Sequence, residues 1–107
     1  MRTIKVVDLI NSHHLVTQDE GQKVFNAIRD RLDKGESFVL DFEGITLITA
    51  CCLNVAIGQL YGRWDSEYLN VHIKIKNLHW QHRDVFRAVT DNAKEYFAKK
   101  GTGKIWQ

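Results

Sequence analysis

The sequence predicts an α/β domain: a small, mostly parallel or mixed central sheet with helices packed mainly on one side. Two observations carry this. Segments with strand character alternate with segments whose apolar residues recur every three or four positions, in the order strand, helix, strand, helix, strand, helix. Such alternation implies crossover helices lying over a parallel sheet. The second observation is the run from Val39 to Leu53, which reads as a buried strand, a tight turn at Gly44, a second apolar segment at Ile45 to Ile48, and a helix opening on Ala50, Cys51 and Cys52.

The elements follow in order. Thr3 to Leu9, with Ile4, Val6, Val7 and Leu9, suits a strand, broken by Asn11 to His14. Thr17 or Asp19 can cap a helix beginning near Glu20. Its apolar stripe is Val24, Phe25, Ile28 and Leu32, and Gly35 after Lys34 fits its C-terminal end. Phe38 to Phe42 is almost wholly apolar, as a central strand covered on both faces should be.

The next helix has the clearest stripe, Leu53, Ala56, Ile57, Leu60, Tyr61 and Trp64, with Asp65-Ser66-Glu67 read as its end. Leu69, Val71, Ile73 and Ile75 alternate with polar residues, which predicts a strand with one solvated face. After a link from Asn77 to His82, the last helix has the stripe Val85, Phe86, Val89, Ala93, Tyr96 and Phe97 and closes at Gly101. Lys104-Ile105-Trp106 would then add a short strand or dock. The expected core includes Leu40, Phe42, Leu53, Ile57, Leu60, Ile73, Val89 and Phe97.

Composition narrows the function classes. A chain of 107 residues without internal linker or repeat is one domain, 1–107. The apolar fraction of 44% is that of an ordinary globule, and no apolar run approaches the roughly 20 residues that span a bilayer. No membrane partner is expected. Met1-Arg2-Thr3-Ile4-Lys5 lacks the apolar stretch of a signal peptide, and the only cysteines, Cys51 and Cys52, are adjacent. A reduced, cytoplasmic setting follows as the expectation. A net charge of +2, with acidic residues scattered among the basic ones on the helices, argues against nucleic acid as the main partner.

Several residues invite a chemical role, and each has a plainer one beside it. Thr49 is a candidate regulatory hydroxyl, but a Thr before a helix is first an N-cap. Cys51 and Cys52 at a helix start could be activated thiols, yet adjacent helical side chains diverge and small residues suit close helix packing. His79 and His82 have helical metal-ligand spacing without an identifiable third ligand, so no metal site is assigned. Asp41 could act as an acid or base, but an Asp at this place accepts hydrogen bonds from the following turn. Trp80 and Trp106, in irregular segments, are candidates for exposed interface residues, whereas Trp64 belongs to a core stripe.

Asp41-Phe42-Glu43-Gly44-Ile45, Leu47-Ile48-Thr49, Leu53-Asn54 and Ile57-Gly58-Gln59-Leu60-Tyr61 together resemble the STAS-like domain family, related to anti-sigma factor antagonists and the STAS domains of sulfate transporters. The resemblance extends over about residues 17 to 98. It implies a non-enzymatic protein-interaction or regulatory module of bacterial-type signalling, with a histidine-kinase-like ATPase as the kind of partner and no cofactor. In the antagonists an Asp-Ser-Ser-Gly segment opens the helix, and its first serine is phosphorylated. Thr49 stands at the aspartate, Ala50 at that serine, and Cys51 and Cys52 at the last two positions. Ala50 has no hydroxyl, so the switch does not carry over. Thr49, Ala50, Cys51 and Asn54 remain the expected partner-binding or regulatory residues, at the N-terminal end of a helix spanning 49–64. The alternatives are a small anionic ligand or nucleotide at the same helix end, and a nucleic-acid accessory protein. Catalysis is the least supported class, and a homo-oligomer stays open.

Overall fold

Along the chain run β1 (Arg2–Lys5), α1 (Val6–Ile10), β2 (His14–Leu15), α2 (Gln18–Asp33), β3 (Phe38–Asp41), β4 (Leu47–Ile48), α3 (Ala50–Ala56), a 3-10 turn (Gly58–Gly62), α4 (Ser66–His72), β5 (Ile73–Lys76) and α5 (Trp80–Gly101). The computed structural model describes residues 2–101, with side chains through residue 98. The suggested terminal strand and Trp106 lie outside the described residues.

The main sheet is parallel, in the order β1-β3-β5, and β2 pairs with β4 in a second parallel ribbon. The three strands advance across the sheet in one direction. Right-handed crossovers that keep advancing the same way put their helices on the same face. The exposure of the strands agrees with this. Ile4 and Leu40 share a row and are buried, whereas Thr3 and Lys5 on β1 and Lys74 and Lys76 on β5 are exposed. One face therefore carries the helices and the other is largely open to solvent.

Six of the eight expected core residues are buried: Leu40, Phe42, Leu53, Ile57, Leu60 and Val89. Ile73 and Phe97 are only half-buried. Phe42 meets Phe86 edge-on, with ring centroids 6.2 Å apart, and this contact ties the end of β3 to α5. Tyr96, expected on the inner stripe of α5, is 53% exposed.

Three elements differ from the sequence expectation. β1 stops at Lys5, and the chain turns at once into α1, whose buried residues Val6 and Ile10 are four apart. A short apolar run fits either period, and here the helical one wins through packing. The helix expected over 49–64 ends at Ala56 and passes through Ile57 into the 3-10 turn. Gly58 and Gly62 weaken the α-helix there, and apolar residues three apart suit a 3-10 turn as well as an α-helix. Asp65 opens an element rather than closing one: its carboxylate accepts the Tyr68 N–H at 2.8 Å and caps α4. Leu69 to His72 are consequently helical, and the strand is confined to Ile73–Lys76. Val71, which the alternation had placed on the inner face, is 63% exposed.

Other local readings hold. Thr17 caps α2 with the full capping box, and Gly35 follows its C-cap Lys34 with a φ of 74°. Gly44 takes a φ of 88° in the turn after β3, where Ile45 N–H reaches the Phe42 carbonyl at 3.0 Å.

Candidate functional site: the paired starts of α2 and α3

The N-termini of α2 and α3 lie side by side and are fastened together through Val16. Glu20 Oε1 accepts the N–H groups of Val16 and Thr17, each at 3.0 Å, so the capping box extends one residue upstream. On the other side of the same residue, Thr49 Oγ1 donates to the Val16 carbonyl at 3.0 Å. The Thr49 oxygen also accepts the Cys52 N–H at 3.2 Å, as the N-cap of α3. Both hydrogen-bonding roles of this hydroxyl are therefore occupied, and Thr49 is a structural clip. The two backbone N–H bonds to Glu20 hold its carboxyl below the usual carboxylate range, against a smaller opposing effect of burial.

Close approach of the two helices depends on Gly21. A Cβ there would lie 2.6 Å from the Cys52 carbonyl oxygen and 3.0 Å from Val55 Cβ. Cys52 is fully buried against this contact, and burial, with Glu20 and then Cys51 adding to it, pushes its thiol up to about 12. Such a thiol is unreactive at neutral pH. Cys51 points outward, with Gln18 Nε2 3.7 Å from its Sγ.

What α3 presents outward is Ala50, Cys51 and Asn54, all exposed, beside Leu47 of β4, which is 48% exposed. Three of the four expected site residues thus share this surface, and the fourth, Thr49, holds it from beneath. The Cys52 and Leu53 N–H groups of α3 are taken by the Thr49 side chain and carbonyl. Leu47 was not among the expected residues. It sits one position before buried Ile48 in a two-residue strand, too short for alternation to be read from sequence.

A second polar cluster closes the far end of the sheet. Asp41, 5% exposed, accepts the Glu43 N–H and the Asn77 side-chain N–H, both at 2.9 Å, through Oδ1. Burial opposes its ionisation, yet these two bonds and the Lys76 and Lys5 charges beside it outweigh that and keep the carboxyl below its ordinary value. The turn bond is the one expected. The Asn77 bond, which ties the β5–α5 link to β3, spans 36 residues and left no local signal. The His79 and His82 rings are 6.0 Å apart, and no group of three potential metal ligands occurs among the described residues.

Most of these residues, though not Lys5, Val16, Thr17, Gln18 or His82, lie in the segment that a family model matches: residues 20–81 match a family described as a STAS-like domain of unknown function (DUF4325). The chain belongs to this STAS-like family. The match begins inside α2 at Glu20 and ends at Gln81, so it takes in Glu20, Thr49 and Ala50 to Asn54, leaves out Val16, and includes only the first two residues of α5. No curated protein and no solved structure matches the chain significantly. No helix among the described residues of this STAS-like domain is long and apolar enough to cross a membrane.

Proposed function

We propose that this STAS-like domain is a non-enzymatic regulatory module that docks a protein partner through the start of α3. The observation that carries the reading is the exposed group Leu47, Ala50, Cys51 and Asn54, held on a base whose polar groups are already satisfied. Small residues at a helix start let a partner approach the backbone closely, and a partly exposed leucine beside them supplies apolar contact area. The family relationship supports a partner such as a histidine-kinase-like ATPase, in a cytoplasmic setting. Ala50 has no hydroxyl to phosphorylate, and the Thr49 hydroxyl is engaged as a clip.

Affinity capture with three variants tests this. A partner retained by the native domain should be lost with Asn54→Arg and with Ala50→Glu, and retained with Lys74→Glu on the open face of the sheet. Circular dichroism establishes that each variant is folded. Retention by both α3 variants overturns the reading.

A further inference from the structure

The outer edge of β5 leaves backbone groups without a neighbouring strand. The Lys76 carbonyl accepts the Phe42 N–H at 2.9 Å, so Lys76 turns its peptide groups toward β3. Backbone direction alternates along a strand, so Ile75 turns its N–H and C=O the opposite way. On that side, among the described residues, the sheet ends. An edge of this kind is a template for an added strand.

A groove of about 620 Å³ runs beside the edge, between β5 and α5. Ile75, Leu78 and Phe86 give it an apolar floor, and α5 lines it with Arg83, Arg87, Asp91 and Lys94. Those four residues are spaced by four, four and three, which is one stripe of a helix. Three cations against one carboxylate make the wall positive. From 83 to 94 the stripe is about 16 Å long at the rise of an α-helix, a length covered by about five extended residues.

We propose that this edge and groove bind an extended protein segment of alternating acidic and apolar residues, added to the sheet beyond β5. The pleat sets the alternation. Residues beside exposed Lys74 and Lys76 would be acidic, and residues beside Ile75, which is 40% exposed, would be apolar and cover the groove floor. A second copy of this chain fits poorly, because pairing β5 with β5 brings lysines against lysines. A nucleic acid would use the positive wall but not the strand edge. The surface shares no residue with the one proposed at α3, and either can fail without the other.

The probe is a fluorescently labelled peptide, Glu-Val-Glu-Val-Glu-Val, titrated with the full chain and followed by anisotropy. Saturable binding is expected below about 1 mM, weakened about tenfold or more by the double variant Lys74→Glu/Lys76→Glu, which reverses the charges facing the acidic residues, and by raising the salt from about 0.05 to 0.5 M. Both lysines are exposed, and circular dichroism shows whether the variant is folded. A peptide N-methylated at every residue keeps its charge but has no N–H to donate to the edge, and it should bind at least about tenfold more weakly. Failure of the parent peptide to saturate, or equal binding to the double variant, overturns the proposal. Equal binding of the N-methylated peptide overturns strand addition. Binding of a single-stranded oligonucleotide without binding of the peptide assigns the surface to nucleic acid and overturns it as well.

Discussion

The start of α3 and the edge of β5 are opposite solutions to the same problem of unpaired backbone groups. At α3, Thr49 caps the Cys52 N–H, Glu20 takes two N–H groups from the residues ahead of α2, and Val16 is held through both its N–H and its carbonyl. Gly21 lets the two helices close on this lock. At β5, the edge has no partner strand among the described residues and is flanked by Lys74 and Lys76, charges that discourage casual pairing. The first surface is pre-formed and offers side-chain shape. The second offers hydrogen-bonding backbone and charge. The two proposed surfaces would therefore recognise their partners in different ways.

Disturbing the close approach of α2 and α3 should have the largest effect. Gly21→Ala puts a methyl against the Cys52 carbonyl, and the helices must separate. The expected loss is about 1–3 kcal/mol, despite the better helix propensity of alanine. Urea denaturation measures it, and a variant as stable as the native domain would show that the lock is looser than the geometry implies.

Removing the clip alone should cost less. Thr49→Ala forfeits the α3 cap and the bond to Val16, for about 1 kcal/mol within a range of about 0.5–2. Thr49→Ser keeps both bonds and should recover most of the loss. Equal destabilisation by the two variants would point to the Thr methyl group rather than the hydroxyl.

The smallest effect lies away from the lock, at the start of α5. His82 is buried, its Nδ1 has no hydrogen-bond partner among the described residues, and desolvation together with the His79 charge lowers its affinity for a proton. A folded-state value below the ordinary 6.5 means that the unfolded chain binds the proton more readily. The contribution of His82 is then fully present above that value and is lost as pH falls through the folded value. Stability should decline on acidification below about 6.5, before the carboxylates titrate. The decline should flatten in His82→Gln, measured as denaturation midpoints across that range. A slope unchanged in the variant would move the effect to another group.

Legibility followed the range of the interactions. Thr17, Gly35, Gly44 and the Thr49 cap act within a few residues, and their spacing in the chain announces them. The pairing of Asp41 with Asn77, and of Thr49 with Val16, joins residues 36 and 33 apart, and no local pattern marks such partners. The misread segments share one cause. Val6 to Ile10, Ile57 to Gly62 and Leu69 to His72 are short apolar stretches whose spacing suits two periods. Burial against neighbouring elements, such as that of Leu69 on the inner side of α4, decided between them.

The sequence by itself determined the α/β class, the strand-turn-helix from Val39 to Leu53, most of the core, and the loss of a hydroxyl at Ala50. These rest on periodicity, turn chemistry and residue identity, which are properties of the chain. Tertiary structure alone decided that Thr49 is fully engaged, that Cys52 is buried while Cys51 is exposed, that Leu47 joins the α3 surface, and that β5 is an edge. Each of these depends on which distant segment lies alongside, and that is settled by packing the whole core at once.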